Sequence, residues 1–149
     1  MTWHFLHVLG LALWFGSAGA DVVLEGVLQR TPEGTAQRTL IRLHKIIDLV
    51  LEGPAIIVVL VTGLVLILNR PAPLPGWMWW KIGLGASAAL ANLICVFFVV
   101  ARHRASSALD AHAIPNQSPP VRRWNIAIAI TGVGVPAALG ALWLGVTRL

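Results

Sequence analysis

The sequence predicts an all-α integral membrane protein, a four-helix bundle in antiparallel, up-down-up-down order, and three observations predict it. The 149 residues are 57% hydrophobic and only 11% charged, with a mean hydropathy of +0.79, which is too apolar for a soluble domain. Four apolar stretches, 3–28, 43–68, 76–100 and 124–146, each reach the about 20 residues that a spanning helix needs. The connections between them hold most of the basic residues, as short loops beside a membrane do. A single transmembrane domain over 1–149 accounts for the whole chain.

The first helix organises the rest. It is apolar enough to span, yet it carries His4, His7, Asp21 and Glu25. At roughly 100° per residue, His7, Trp14, Asp21 and Glu25 fall within about 40° of one another, so a polar stripe runs down one face. A charged group at bilayer depth costs a few kcal/mol or more unless it is paired or hydrated. The stripe is therefore expected to face the protein interior. The stretch has no basic segment before it and is long enough to span, so it reads as a retained helix, not a cleaved signal.

In the second helix, His44, Asp48 and Glu52 recur at i, i+4 and i+8 and so share one face. Pro54 within this span removes a backbone donor and predicts a local kink. The first connection, 29–42, has the turn residues Thr31, Pro32, Glu33 and Gly34. The third, 102–123, contains Pro115, Pro119 and Pro120 and reads as the most loop-like region. Of the Lys and Arg residues, eight flank these two connections, against Arg70, Lys81 and Arg148 on the other side. Both termini are then expected outside the cytoplasm, in a bacterial inner membrane. Small residues predict close packing: Ala12, Gly16 and Ala20 on helix one, Gly85 and Ala89 on helix three, Gly132, Pro136 and Gly140 on helix four.

Antiparallel order sorts the polar residues into two layers. An outer layer holds His4, His7, Lys81, Trp143 and the Trp77–Trp80 cluster. With a rise of about 1.5 Å per residue, His7 and Lys81 lie at similar depth. Neutral imidazole ligates haem iron and also Zn, Cu and Fe, so His7 is a candidate ligand; a hydrogen bond to a neighbouring helix is the plainer role. Lys81 follows a Trp-rich run and either snorkels to the headgroups or meets an anionic group. Asn92 shares its face. The inner layer holds Asp21, Glu25, Arg42, His44, Lys45, Asp48, His103, Arg104 and Asn125, with Glu52 deeper. His44, Asp48 and Glu52 could hold a cation; equally, Arg42, Lys45 and Arg104 could neutralise the acids in a structural ion-pair layer. The lone Cys95 excludes an intrachain disulfide. The net charge of +5 is explained by topology, not by a nucleic-acid partner. The chain has no Walker loop, GxSxG, HExxH or CxxCH motif, which leaves hydrolase and nucleotide-binding readings without footing.

The opening Trp3-His4-Phe5-Leu6-His7-Val8-Leu9-Gly10 with Trp14-Phe15-Gly16, together with Arg42-Leu43, Gly63 and Trp80-Lys81, resembles the HemJ/CopD-like group of small four-helix bacterial membrane proteins. The resemblance covers about three of the four helices. It implies haem b and oxidation of protoporphyrinogen on the HemJ side, and copper handling or other redox partners on the CopD side. It maps the first-helix histidine of the group onto His7 and the third-helix lysine onto Lys81. HemJ-like chains place a histidine about where this chain has Asn92.

Three functions are thus expected as alternatives. The first is a haem b redox protein, with His7 as axial ligand, Lys81 as second ligand or propionate contact, Trp14 and Trp143 as pocket walls, Asn92 nearby, and a porphyrin or quinone-type substrate. In it, Asp21, Glu25, Asp48 and Glu52 would move protons. The second is a metal-ion or proton route without haem, using copper or another divalent cation at His44, Asp48 and Glu52. The third is a subunit or assembly factor, pairing with itself or with another membrane chain.

Overall fold

The computed structural model describes residues 2–32, 34–71, 73–111 and 134–147, and every regular element among them is helical. Helix α1 spans Thr2–Arg30. A turn at Gly34, whose φ of 145° suits only glycine, leads into α2, Thr35–Ile47. One π-helical turn, Asp48–Glu52, joins α2 to α3, Gly53–Leu68, so that the chain is helical without a break from 35 to 68. Helix α4 runs over Gly76–Ala111 and α5 over Gly134–Val146.

Two helices extend further than the apolar stretches. The second starts at Thr35 instead of 43, because 35–47 is amphipathic: Gln37, Ile41 and His44 are buried, while Arg38 and Arg42 are exposed. The third continues past 100 to Ala111, because Val99, Arg102 and Ser106 prolong the buried stripe of Ala88 and Asn92 at helical spacing. The remainder of the expected third connection and the start of the fourth span, including Asn125 and Gly132, lie outside the described residues, as do Glu33 and Arg148. Three helices are long and apolar enough to cross a membrane, and α5 is a shorter apolar helix.

The π turn follows from Gly53-Pro54. Proline has no N–H, and its ring collides with the carbonyl four residues back, so a regular α-turn cannot pass through it. The chain widens instead, with Gly53 N–H reaching the Asp48 carbonyl. Both ends of the turn, Asp48 and Glu52, are buried.

Helix α1 packs along α3 and α4 along α5, while α2 bridges α1 and α4. Trp14 on α1, Ala55, Ile56 and Val59 on α3, Ala88 and Ala89 on α4, and Ala138 on α5 form one apolar core. The close approaches use glycines. A Cβ at Gly10 would lie 3.0 Å from Val59, and one at Gly134 would lie 2.9 Å from the Ala91 Cβ. The expected small-residue face Ala12–Gly16–Ala20 is not among them: Ala12, Gly16 and Ala20 are exposed, and a Cβ at Gly16 would meet nothing. Its phase on the helix sets it away from the stripe that contains Gly10, Trp14 and Ser17.

The outer surface is apolar, with Val22, Val50, Ile57, Leu64, Leu90 and Phe97 all exposed. Such a surface is stable against lipid and not against water. Trp3, Trp79, Trp80 and Trp143 are exposed near the helix ends, where indole rings favour the headgroup region.

Candidate functional site

Below the apolar core, polar side chains from three helices converge. Asp21 and Glu25 come from α1, His44 from α2, Asp48 and Glu52 from the π turn, and Asn92 and Arg102 from α4. The helical phase of Ile41 and His44, three residues apart, continues four residues on into Asp48, and the widened turn carries Glu52 to the same interior. Among the described residues Arg102 is the largest fully buried side chain, at 0% exposure. Its guanidinium donates to both oxygens of Glu25, at 3.2 and 2.9 Å, and to His44 Nδ1 at 2.9 Å.

That last bond fixes the imidazole. A guanidinium only donates, so Nδ1 of His44 accepts and the ring N–H resides at Nε2. His44 Nε2 faces Asp21 Oδ1 at 3.5 Å and Asp48 Oδ1 at 3.7 Å. The three ligand atoms lie within 4.8 Å of one another. Asp21 also adjoins Glu52, which lies beside Asn92. Among the described residues, Asp21 Oδ1, both Asp48 oxygens, His44 Nε2 and Asn92 Nδ2 have no hydrogen-bond partner although they are shielded from solvent.

The charges do not balance. Glu25 is matched by Arg102, which leaves Asp21, Asp48 and Glu52 without a further cation among the described residues. Two carboxylates within 4.8 Å of each other repel by about 3 kcal/mol at an effective dielectric near 20. Three ionised carboxylates in this setting would be costly, so the cluster is built to hold a positive charge that the described side chains do not supply.

Arg42, expected in the ion-pair layer, is on the exposed side of α2 and lines a separate cavity with Lys45 and His103. Ile41 and His44 occupy the inward phase, and Arg102 takes the position that the sequence assigned to Arg42. The apolar run ends at Val100 and so gives no sign of Arg102; the signal for it is the stripe Ala88, Asn92, Val99, Arg102, Ser106 continuing beyond that run.

Above the core lies His7. Its Nδ1 meets the Val59 carbonyl at 3.1 Å and Thr62 Oγ1 at 3.0 Å. The Thr62 hydroxyl itself donates to the Val58 carbonyl, so its oxygen accepts and His7 Nδ1 carries the ring proton. The lone pair is then at Nε2. The ring lies on Gly63, where a Cβ would be 3.2 Å from His7 Cε1. The two histidines are held in opposite tautomers. Lys81 is near enough to act electrostatically on His7, and its ammonium lies over Gly145 of α5, where a Cβ would be 2.8 Å from Nζ.

Other residues assigned by sequence are placed elsewhere. Trp14 is packed in the core, Trp143 is exposed on α5, Asn92 belongs to the acid cluster and His4 is exposed. His4, one turn before His7 on α1, acts on it electrostatically, as Lys81 does.

Helices with a lipid-compatible exterior around a buried charged cluster define an integral membrane protein. The chain matches the family model described as "Predicted integral membrane protein (DUF2269)" over residues 1–149, and it belongs to that family. No curated protein and no solved structure matches it.

Proposed function

We propose that this protein takes up and passes protons at the Asp21–His44–Asp48–Glu52 cluster, as the proton-handling part of a HemJ/CopD-like redox protein. In this reading it sits in the bacterial inner membrane as an antiparallel, up-down-up-down bundle with both termini on the periplasmic side. One observation carries the reading: Asp21 and Asp48 face the ring N–H of His44, Glu52 is buried beside Asp21, and Arg102, which pairs with Glu25, is joined by no further cation among the described residues. A proton satisfies such a site by turning an orphaned oxygen into a donor. A divalent ion at the same atoms needs His44 Nε2 deprotonated, which requires the Nδ1–H tautomer and the release of Nδ1 by Arg102. The geometry therefore favours a proton over copper or another divalent cation.

The test is proton flux into vesicles containing the purified protein, driven by a potassium diffusion potential. Flux in the wild type that falls to the rate of empty vesicles in Asp48→Asn supports the reading. Equal flux in wild type and variant, or none in either, overturns it, and bound metal lost in Asp48→Asn would establish the cation reading instead.

A second reading is favoured by His7. A metal-ligating histidine commonly donates its other N–H to a carbonyl, and here Nδ1 is anchored on Val59 and Thr62, so Nε2 is the atom that would hold the iron of haem b. Bound haem would supply one-electron chemistry, with a porphyrin or quinol as electron donor. Lys81 offers a positive charge to a propionate. Oxidised and dithionite-reduced absorption spectra test this: a Soret band lost in His7→Ala supports it, and a wild type that stays colourless after haem supplementation sinks it. A colourless, metal-free protein without flux would point to a subunit acting through another membrane chain or a second copy of itself.

A further inference from the structure

A second polar site lies beyond the acid cluster, at the end of the molecule where α2 begins and α4 continues past the apolar run. A cavity of about 480 Å³ opens there between the two helices. Arg38, Arg42 and Lys45 line it from α2 at a spacing of four and three residues, and His103 and Ser106 line it from α4. Lys45 Nζ donates to His103 Nδ1 at 3.5 Å, which leaves further ammonium donors for the cavity. No carboxylate is among the described lining residues. Asp48 and Glu52, in the π turn that continues α2, are buried in the interior cluster, so the acid cluster and this basic cavity share one continuous helix.

We propose that this cavity binds a phosphate group at the membrane surface, either the phosphodiester of an acidic lipid headgroup or a free inorganic phosphate. The chemistry is that of guanidinium and ammonium donors facing one concave space: Arg42 presents a planar fork that pairs two oxygens, and Lys45 adds a point charge. The level is that of headgroups. Arg42 and Lys45 are within two turns of the buried Asp48, and the apolar exterior begins at Leu43 and Ile46 on the same helix. The inference is independent of proton transfer and of haem.

The experiment uses the full chain purified in an uncharged detergent, with thermal stability as readout. One arm titrates short-chain phosphatidylglycerol against short-chain phosphatidylcholine. The other titrates inorganic phosphate against chloride at matched ionic strength. The expected result is a saturable stabilisation by phosphatidylglycerol, by inorganic phosphate, or by both. A response to the lipid alone assigns the site to headgroups, and a response to inorganic phosphate assigns it to a free phosphate. Each surface charge contributes about five-fold in affinity, so Arg42→Gln with Lys45→Gln weakens binding by about 25-fold. Arg70→Gln, at the other end of the molecule, leaves it unchanged. The proposal is overturned if neither anion binds saturably, if phosphatidylcholine does as well as phosphatidylglycerol, or if the double variant binds as tightly as the wild type.

Discussion

Replacing Arg102 by Gln removes the one described cation that reaches into the acid cluster. The guanidinium makes two bonds to Glu25, at 3.2 and 2.9 Å, and one to His44 Nδ1 at 2.9 Å, and it is fully buried. Gln is neutral and shorter, so Glu25 is left as a buried carboxylate beside three other acids. Removing one partner of a buried pair costs about 3–5 kcal/mol, much of it the cost of the charge left behind. The double variant Arg102→Gln with Glu25→Gln removes that stranded charge and should recover about 2 kcal/mol or more of the loss. Unfolding by dodecyl sulfate in mixed micelles, followed by circular dichroism, measures both. A single variant within about 1 kcal/mol of wild type, the scale of an ordinary interhelical hydrogen bond in a membrane, would refute the reasoning. So would a double variant less stable than the single one.

Other outcomes follow from the same contacts. Gly63→Ala places a methyl 3.2 Å from His7 Cε1, so the ring must move off α3; overpacking of this kind costs about 1–3 kcal/mol, and the same unfolding titration reads it. Gly134→Ala brings a Cβ to 2.9 Å from that of Ala91 and should loosen α5 from α4, read in the same titration as a stability loss of about 1–3 kcal/mol. Thr62→Val removes an acceptor shared by His7 Nδ1 but leaves the Val59 carbonyl; a loss of about 1 kcal/mol is expected. If the His7 ring binds haem, its spectrum should survive this change.

Much of the arrangement was written in residue spacing. The face shared by His7, Trp14, Asp21 and Glu25 is the inward face of α1, and His44, Asp48 and Glu52 do lie together, because helical phase is a local property that the sequence displays directly. Ends and partners were less legible. Arg102 lies beyond the apolar run, and only the phase of the stripe through Asn92 and Val99 shows that the helix goes on to bury it. Arg42 has the charge for the acid cluster, yet it is one residue out of phase with the buried Ile41 and His44 and lies exposed on the basic cavity. The tautomers of His7 and His44 depend on Val59, Thr62 and Arg102, groups 52 to 58 residues away in the chain, and no local pattern encodes them. Pro54 announced an irregularity, but not that the irregularity would be a π turn with a carboxylate at each end.

The most direct measurement is the infrared spectrum of the purified protein in lipid at neutral pH, in light and heavy water, for wild type and for Asp48→Asn. The account predicts a carbonyl stretch of a protonated carboxyl group in the wild type, shifted by deuteration and reduced or lost in the variant. A wild type with no protonated carboxyl band, together with a stoichiometric divalent metal that the variant lacks, would contradict it.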